Sequence, residues 1–560
     1  MSLHPIIELE LRQAARRART YWARFGVSLL AIVVGFGVLT PSFRGVIVPS
    51  DTGRALFFLL TAVAFVLCLL SGAFLTADCL SREKREETLG LLFLTDLRGY
   101  DIVAGKFVAR SMDAVYGLLG IFPIMALALL LGGVTGGEFG RTAVALLNTL
   151  FFSLALGIMV SAFSREGIRA TGVTLLVNLL LAAGPWTTVQ LGAALNPATV
   201  APWMWLSPGF TLYAAKDAFS ANGAEAFWYS VWTQQAVAWG AIVAASWRLP
   251  FAWQERAGAP KDDGWRQRWR NWNQGTAAVN REERRRWLDS EPLQWLSRRR
   301  RYSYGALMIY GGLAAGVWML GWVALQTYWR SAEAVLFTSF TLHVLVKVWV
   351  ATEICRRVDE DKRNGALELL LMTPCPAGSI IRSQLAAVRR QFLAPVTLVL
   401  VIDVALMCLG LNAPHSAMGM NDLAPALFGG MALFLADVYA LAWVGLWRTT
   451  AAPRAHRGFT QTFLLVMVMP WLVMLALGSL VMLATDGRAF DAGGLVALWF
   501  GAGYFTDLFL CAVAINELSE GFRRLVSEGG GAWRPAGWRC GRFPHRRAGV
   551  NPLECRVARR

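Results

Sequence analysis

Five ionisable side chains lie inside apolar runs in the second half of the chain, where they are placed to do polar chemistry. They are His343, Lys347, Asp403, Asp437 and Asp507. A charge in the hydrocarbon of a bilayer costs at least ~2.5–3.5 kcal/mol, so each group must face protein, pair or become neutral. His343 and Lys347 are four residues apart and share one helix face. Two hypotheses follow: a structural pair between Lys347 and a carboxylate, which we favour, or a polar lining of a pathway or substrate headgroup site.

A polar segment occurs twice in the chain. The first copy begins at Glu83 and reads EKREETLGLLFLTD, and the second begins at Asp361 and reads DKRNGALELLLMTP. Lysine, arginine, leucine and threonine positions coincide without a gap, and each copy lies between two apolar runs. Because the repeated segment is polar, a general bias toward apolar residues does not explain the match. The duplication indicates two similar membrane halves joined in one polypeptide.

Each copy predicts a short helix with charge at its start and an apolar face. Carboxylates in the first turn oppose the positive end of the helix dipole, and apolar residues follow at i, i+3 and i+4. Such a helix suits docking into a groove on a soluble partner. The alternative is a helix that only lies on the bilayer, and the duplication favours docking. The residues assigned to docking are Glu83, Glu86, Glu87, Thr88, Leu89, Leu92 and Thr95 in the first copy and Asp361, Leu367, Glu368, Leu370 and Thr373 in the second.

The sequence carries no loop for binding nucleotide phosphates. Such a loop has the form G-x-x-x-x-G-K-[ST], in which backbone amides surround the phosphates. The only Gly-Lys pair is Gly105-Lys106, but Phe107 follows it and Tyr100 stands where the first glycine is required. We therefore expect the chain to bind no cofactor and to catalyse no reaction by itself.

Clusters typical of a membrane enzyme or a metal site are also missing from the sequence. A polytopic enzyme needs histidines or carboxylates gathered near one membrane face, whereas the five histidines here are scattered. Near the end of the sequence, Cys540, His545 and Cys555 match no closed zinc spacing. The sequence thus predicts no metal site and disfavours an enzyme.

Composition sets the fold class. The chain of 560 residues is 56% hydrophobic and 16% charged, which is too apolar for a soluble protein of this length. Apolar runs of about 20 residues recur, each long enough to cross roughly 30 Å of hydrocarbon. We predict an all-α polytopic membrane protein with about twelve transmembrane helices in two parallel six-helix repeats. The predicted spans lie near residues 23–45, 55–77, 112–134, 142–163, 170–192 and 227–247, and near 304–326, 334–354, 391–413, 425–447, 461–484 and 495–514.

The net charge of +17 is explained by where the basic residues lie relative to the predicted membrane spans. Most Lys and Arg residues fall in segments on one side, which predicts cytoplasmic termini, cytoplasmic duplicated loops and a place in the inner (cytoplasmic) membrane. This bias explains the excess of positive charge, so nucleic-acid binding is not needed to explain it. We do not expect nucleic acid as a partner. No cysteine falls in a predicted outer loop, so we expect reduced thiols. The outer loops carry only Arg44, Arg54, Arg141, Lys216, Arg330 and Arg488.

Composition also divides the chain into domains. Residues 1–250 and 291–525 form the two predicted six-span domains, joined by an Arg- and Trp-rich cytoplasmic linker at 251–290. Residues 526–560 form a basic tail that is rich in glycine and proline and is predicted to be disordered. The long outer loop at 193–226 contains prolines and tryptophans, which predict short interfacial or re-entrant helices.

The duplicated loop resembles a motif of type-2 ABC exporter permeases. Those membrane subunits carry E-x-x-x-T-L-x-x-L-L-x-T-P between their second and third spans, and residues 83–95 and 361–374 stand in that place. The family's downstream I-x-x-x-K/Q is similar to residues 102–106 and 380–384. Together these features resemble two permease domains fused in one chain.

The resemblance implies a function. In that family the loop is a coupling helix that transmits ATP-driven movement of nucleotide-binding subunits to the spans. It implies two separate ATPase subunits as partners, which carry the ATP and Mg, and an unidentified transported substrate. Asp96 replaces the usual proline of the first copy and Ala366 the usual threonine of the second, which implies two unequal docking sites.

A secondary active transporter with two six-span halves is the alternative. Transporters of the major facilitator group carry a basic G-x-x-x-D-R-x-G-R-R-like loop between their second and third spans. Residues 88–92 of this chain read TLGLL in that place. The loop sequence therefore favours the ABC permease over the secondary transporter.

Overall fold

The structure is a computed structural model, and its described residues are helical apart from short connections. No strand occurs among them, which confirms the all-α class. The described residues are 25–29, 31–32, 35, 49–94, 98–164, 166–192, 202–252, 332–410, 420–452, 455–485 and 492–529.

The described helices of the first half run from α1 to α9. A π-helical turn at Gly72–Thr76 continues α1, and a 3₁₀ turn at Pro202–Leu206 precedes α8. The helices are α1 (Pro49–Ser71), α2 (Cys79–Arg85), α3 (Thr88–Leu94), α4 (Gly99–Leu119), α5 (Phe122–Leu131), α6 (Gly136–Phe163), α7 (Gly167–Gly192), α8 (Pro208–Ala214) and α9 (Asp217–Ala252).

The second half repeats the order of long helices around a short loop helix. A π-helical turn at Leu464–Val468 joins α14 to α15. The described helices are α10 (Ala332–Arg363), α11 (Ala366–Leu371), α12 (Ala377–Gly410), α13 (Met420–Ala451), α14 (Ala455–Phe463), α15 (Met469–Thr485) and α16 (Ala492–Gly529).

Eight stretches of described helix are long and apolar enough to cross a membrane. The spans predicted at 170–192 and 227–247 fall on α7 and α9. Those predicted at 304–326 and, for the most part, 23–45 lie outside the described residues, as do the linker beyond Ala252 and the tail beyond Gly529. The eight stretches are Thr52–Arg85, Gly99–Leu131, Gly136–Phe163, Val335–Arg363, Ala377–Cys408, Ala424–Ala451, His456–Gly478 and Val496–Val526.

The two halves pack against each other through α7 and α10. Gly172 on α7 lies so close to Thr352 on α10 that a Cβ at residue 172 would stand 2.5 Å from the threonine hydroxyl. Beside this crossing, the ring of Phe74 lies 5.3 Å from that of Phe463. His456 Nε2 donates to the carbonyl oxygen of Phe74 over 3.3 Å. The halves therefore share one packed interface.

The long loop of the first half folds back into its own bundle. Helix α8 buries Phe210 and Thr211, and Ser207 Oγ donates to the carbonyl oxygen of Ala182 over 3.1 Å. Gln234 Nε2 on α9 donates to Thr211 Oγ1 over 2.6 Å and to the carbonyl oxygen of Trp205 over 3.2 Å, so these polar groups have partners inside protein. Short helices lie where they were predicted between residues 193 and 226, at Pro202–Leu206 and in α8.

A close helix crossing organises the first half at the π-helical turn. The backbone nitrogen of Gly72 donates to Ser153 Oγ on α6 over 3.1 Å, and Asn178 Nδ2 on α7 donates to the same oxygen over 3.1 Å. Ser153 Oγ donates in turn to the carbonyl oxygen of Leu69. The absence of a side chain at residue 72 allows the two backbones to approach this closely.

We expect Gly72→Ala to destabilise the first half, because the new Cβ would overlap the backbone carbonyl of Ser153. The measurement is the thermal unfolding temperature of the purified protein in detergent. The matched control is Gly117→Ala on α4, where nothing lies within 4 Å of the added Cβ and alanine favours the helix by up to ~1 kcal/mol. Equal unfolding temperatures for the two variants would contradict the crossing.

Candidate functional site

The duplicated loop folds in the same way in both halves. The membrane-spanning stretches Thr52–Arg85 and Val335–Arg363 end at equivalent residues, and the short helices α3 and α11 follow after a turn. The turn contains a residue in the left-handed conformation at equivalent places, Glu87 with φ 55° and Gly365 with φ 67°. Glycine adopts this conformation freely, whereas a residue with a Cβ is strained by roughly 1–2 kcal/mol. The repeat of this rare geometry shows that the loop has one architecture.

An acidic residue anchors each loop to the next long helix. Glu83 accepts from Lys106 Nζ on α4 over 2.9 Å. At the equivalent place, Asp361 accepts from Gln384 Nε2 on α12 over 2.9 Å. These residues are the acidic start and the K/Q position of the sequence motif. The two positions of the motif therefore correspond to a contact that holds the loop against the following span.

A lysine ties each loop to the end of a third helix. Lys84 Nζ donates to the carbonyl oxygens of Ala162 and Ser164, at the end of α6. Lys362 Nζ donates to the carbonyl oxygens of Thr449, Thr450 and Ala452 over 2.9–3.2 Å, at the end of α13. The last carbonyls of a helix lack partners in their own helix and carry its negative pole, so a cation there is stabilising.

The loops differ in one internal contact. Thr88 Oγ1 donates to the carboxylate of Glu83 in the first copy, whereas Ala366 at the equivalent place of the second has no side-chain donor. Glu86 forms an ion pair with Arg82 over 2.8 Å. The first loop thus holds its acidic residue with two donors, and the second holds it with Gln384.

The predicted apolar face of each short helix packs against the core rather than facing outward. Leu89 and Leu367 are each only 2% exposed, and Leu92 and Leu370 are half-buried against the cores of their own halves. The side chains directed outward stand at other positions of the short helices. They are Leu91 (63% exposed) and Leu94 (83%) in the first copy, and Leu369 (70%) and Met372 (88%) in the second.

These outward residues were missed because a helical stripe does not show which side faces the bundle. The duplication contained a usable signal: residues 91 and 369 are both leucine, and residues 94 and 372 are both apolar. Among the other predicted docking residues, Glu368 and Thr373 are exposed. Thr95 lies outside the described residues.

The structure brings the five intramembrane groups into one cluster on α10, α12, α13 and α16. His343 Nε2 lies 2.7 Å from Asp403 Oδ2, and its ring stacks on Phe434 at 4.4 Å. Lys347 pairs with Asp437. Asp507 is 2% exposed and lies beside Asp437. The Lys347–carboxylate pair of the structural hypothesis is thus present, with a second carboxyl beside it.

A profile of the family described as ABC-2 family transporter protein matches residues 6–245. Over residues 6–245 the chain is similar to this family. The match covers the first loop, both of its anchors and helix α8. No curated protein matches the chain. The protein has eight described helical stretches able to cross a membrane. Its second half, beyond the match, repeats the loop, the left-handed turn and the anchors of the first.

The left-handed turn of the second loop gives a test of this shared architecture. We expect Gly365→Ala to cost about 1 kcal/mol in the free energy of unfolding, because the added Cβ is strained at positive φ. Denaturant titration of the purified permease measures this cost. Gly378→Ala, where φ is not positive and nothing lies within 4 Å, is the control. A Gly365→Ala variant as stable as the control would contradict the turn geometry.

Proposed function

We propose that this chain is the membrane subunit of an ATP-driven exporter and that its two loops dock two separate nucleotide-binding subunits in the cytoplasm. ATP and Mg are bound by those subunits. The observation that carries the proposal is a pair of loops with equivalent anchors, each of which directs two apolar side chains outward. An exposed apolar pair on a charged loop is unfavourable in water and suits a groove on a partner.

The anchors explain how such docking would move the membrane helices. Each loop is tied to the following span through Glu83–Lys106 or Asp361–Gln384, and to the end of a third helix through a lysine. A displacement of α3 or α11 is therefore passed to several spans at once rather than absorbed in a slack loop. This rigidity is what coupling of ATP hydrolysis to transport requires.

The two docking sites are unequal in this proposal. The first loop presents Leu91 and Leu94, and the second presents Leu369 and the more adaptable Met372. Thr88 stiffens the first loop and Ala366 leaves the second without that bond. Two identical ATPase subunits would then bind with different affinity, and two different subunits would each have a preferred loop.

Export, rather than import, is what the resemblance of the loop motif implies.

The first test is partnership. We expect the protein, purified from native membranes in mild detergent, to bring with it a soluble ATPase at two copies per permease. Quantitative mass spectrometry gives the ratio, and hydrolysis is measured with and without the associated subunit. Association of no ATPase under any nucleotide condition would overturn the proposal, as would ATP hydrolysis by the isolated permease.

The second test is the docking surface. Burial of a leucine or methionine side chain contributes ~1.5–3 kcal/mol, so Leu94→Asp or Met372→Asp is expected to weaken ATPase binding about tenfold or more. The double variant should retain membrane insertion but lose coupled hydrolysis. Binding is measured by titration of the ATPase against permease in nanodiscs.

Asn364→Asp is the matched control, since it adds the same charge to an exposed position of the second loop without removing an apolar side chain. Normal ATPase binding by the Leu94→Asp/Met372→Asp variant would show that these helices do not form the docking surface. Equal loss in the control would assign the effect to charge alone.

A further inference from the structure

The carboxyl of Asp507 is buried without a hydrogen-bond donor. Both of its oxygens are inaccessible, and no described residue donates to either of them. Asp507 lies in the interior of the stretch Val496–Val526. A buried carboxylate that receives no hydrogen bond is strongly unfavourable, so this group needs a bound counterion or a proton.

The neighbouring polar group is another carboxyl. Asp437 on α13 faces Asp507 and is itself 5% exposed. Its charge is already matched by Lys347. Two carboxyl groups in contact at a buried site cannot both be ionised without a large cost, and they become compatible when one carries a proton and donates it to the other.

The charges around the pair leave one carboxylate unbalanced. Lys347 balances Asp437, and His343 Nε2 lies 2.7 Å from Asp403 Oδ2. No further basic group faces Asp507 from the described elements that pack against it. On α16 itself the nearest titratable residues are Tyr504 and Cys511. Helix α15 and the π-helical turn before it contain none.

A metal ion is a poor occupant for this site. Among the described residues, no group of three or more His, Cys, Asp or Glu side chains is arranged to hold one. Hard cations require about six oxygen ligands, and two carboxyls supply too few. A proton needs only the two oxygens that are in contact.

We propose that Asp437 and Asp507 hold one proton between them and form an intramembrane proton-binding site. The Asp507 hydroxyl donates to the Asp437 carboxylate, which also receives Lys347. Lys347, Asp437 and the protonated Asp507 are then together electrically neutral inside the bilayer. Loss of the proton would leave one negative charge in hydrocarbon, so release requires water to reach the pair or the helices α13 and α16 to separate.

The direct test is infrared spectroscopy of the purified permease at neutral pH. A protonated carboxyl has a carbonyl stretch that a carboxylate lacks. We expect this band in the wild type and its loss in Asp507→Asn, which keeps the shape of the side chain without a titratable proton. Glu520→Gln, an exposed position on the same helix, should leave the band unchanged. A band that is equally strong in Asp507→Asn would overturn the proposal.

A second measurement avoids dependence on the variant. Aspartate labelled with ¹³C at its side-chain carboxyl should shift the band of the wild-type protein, and raising the pH should abolish it.

The pH dependence of unfolding gives a further test. Above the ordinary pKa of an aspartate, the native state holds this proton and the unfolded state does not, so stability falls as pH rises. The unfolding equilibrium constant should increase about tenfold per pH unit relative to Asp507→Asn until the site is empty. An unshifted band, or equal pH slopes, would refute the site.

Discussion

Hydrocarbon offers no hydrogen bonds, and this constraint governs how the described helices place their polar groups. A polar side chain or an irregular turn is stabilised inside the membrane where protein supplies its hydrogen-bond partners. Thr211 on α8 finds such a partner in Gln234 on α9. The crossing at Gly72 meets the same condition through Ser153 and Asn178. Four of the five ionisable groups in the second half satisfy this condition by pairing with one another. In our proposal the fifth, Asp507, satisfies it by holding a proton.

The same physics explains the duplicated loops. Helix ends leave carbonyl oxygens without partners, and in both halves a loop lysine supplies the missing donors. The acidic residue beside each lysine then fixes the loop to the following span. A loop held to two helices in this way cannot move independently of the bundle. These contacts account for an acidic residue followed by a lysine in both copies.

The sequence predicted the fold class, most of the long helices and the place of the loops, because hydropathy and the internal repeat depend only on local composition. It also placed short helices between residues 193 and 226. It did not identify the outward side chains of the loops, since Leu89 and Leu91 look alike until the position of the bundle is known. Nor did it show that Asp507 adjoins Asp437, because that contact joins two helices distant in sequence.

Because the two halves differ, their linkage in one polypeptide determines which halves pair with each other. Only the second half carries the ionisable cluster, and the interface joins Gly172 of one half to Thr352 of the other. If the halves were separate chains, two second halves could associate and two first halves likewise. Such pairs would leave one assembly with two clusters and another with none. The peptide linkage makes every assembled permease contain one half of each kind.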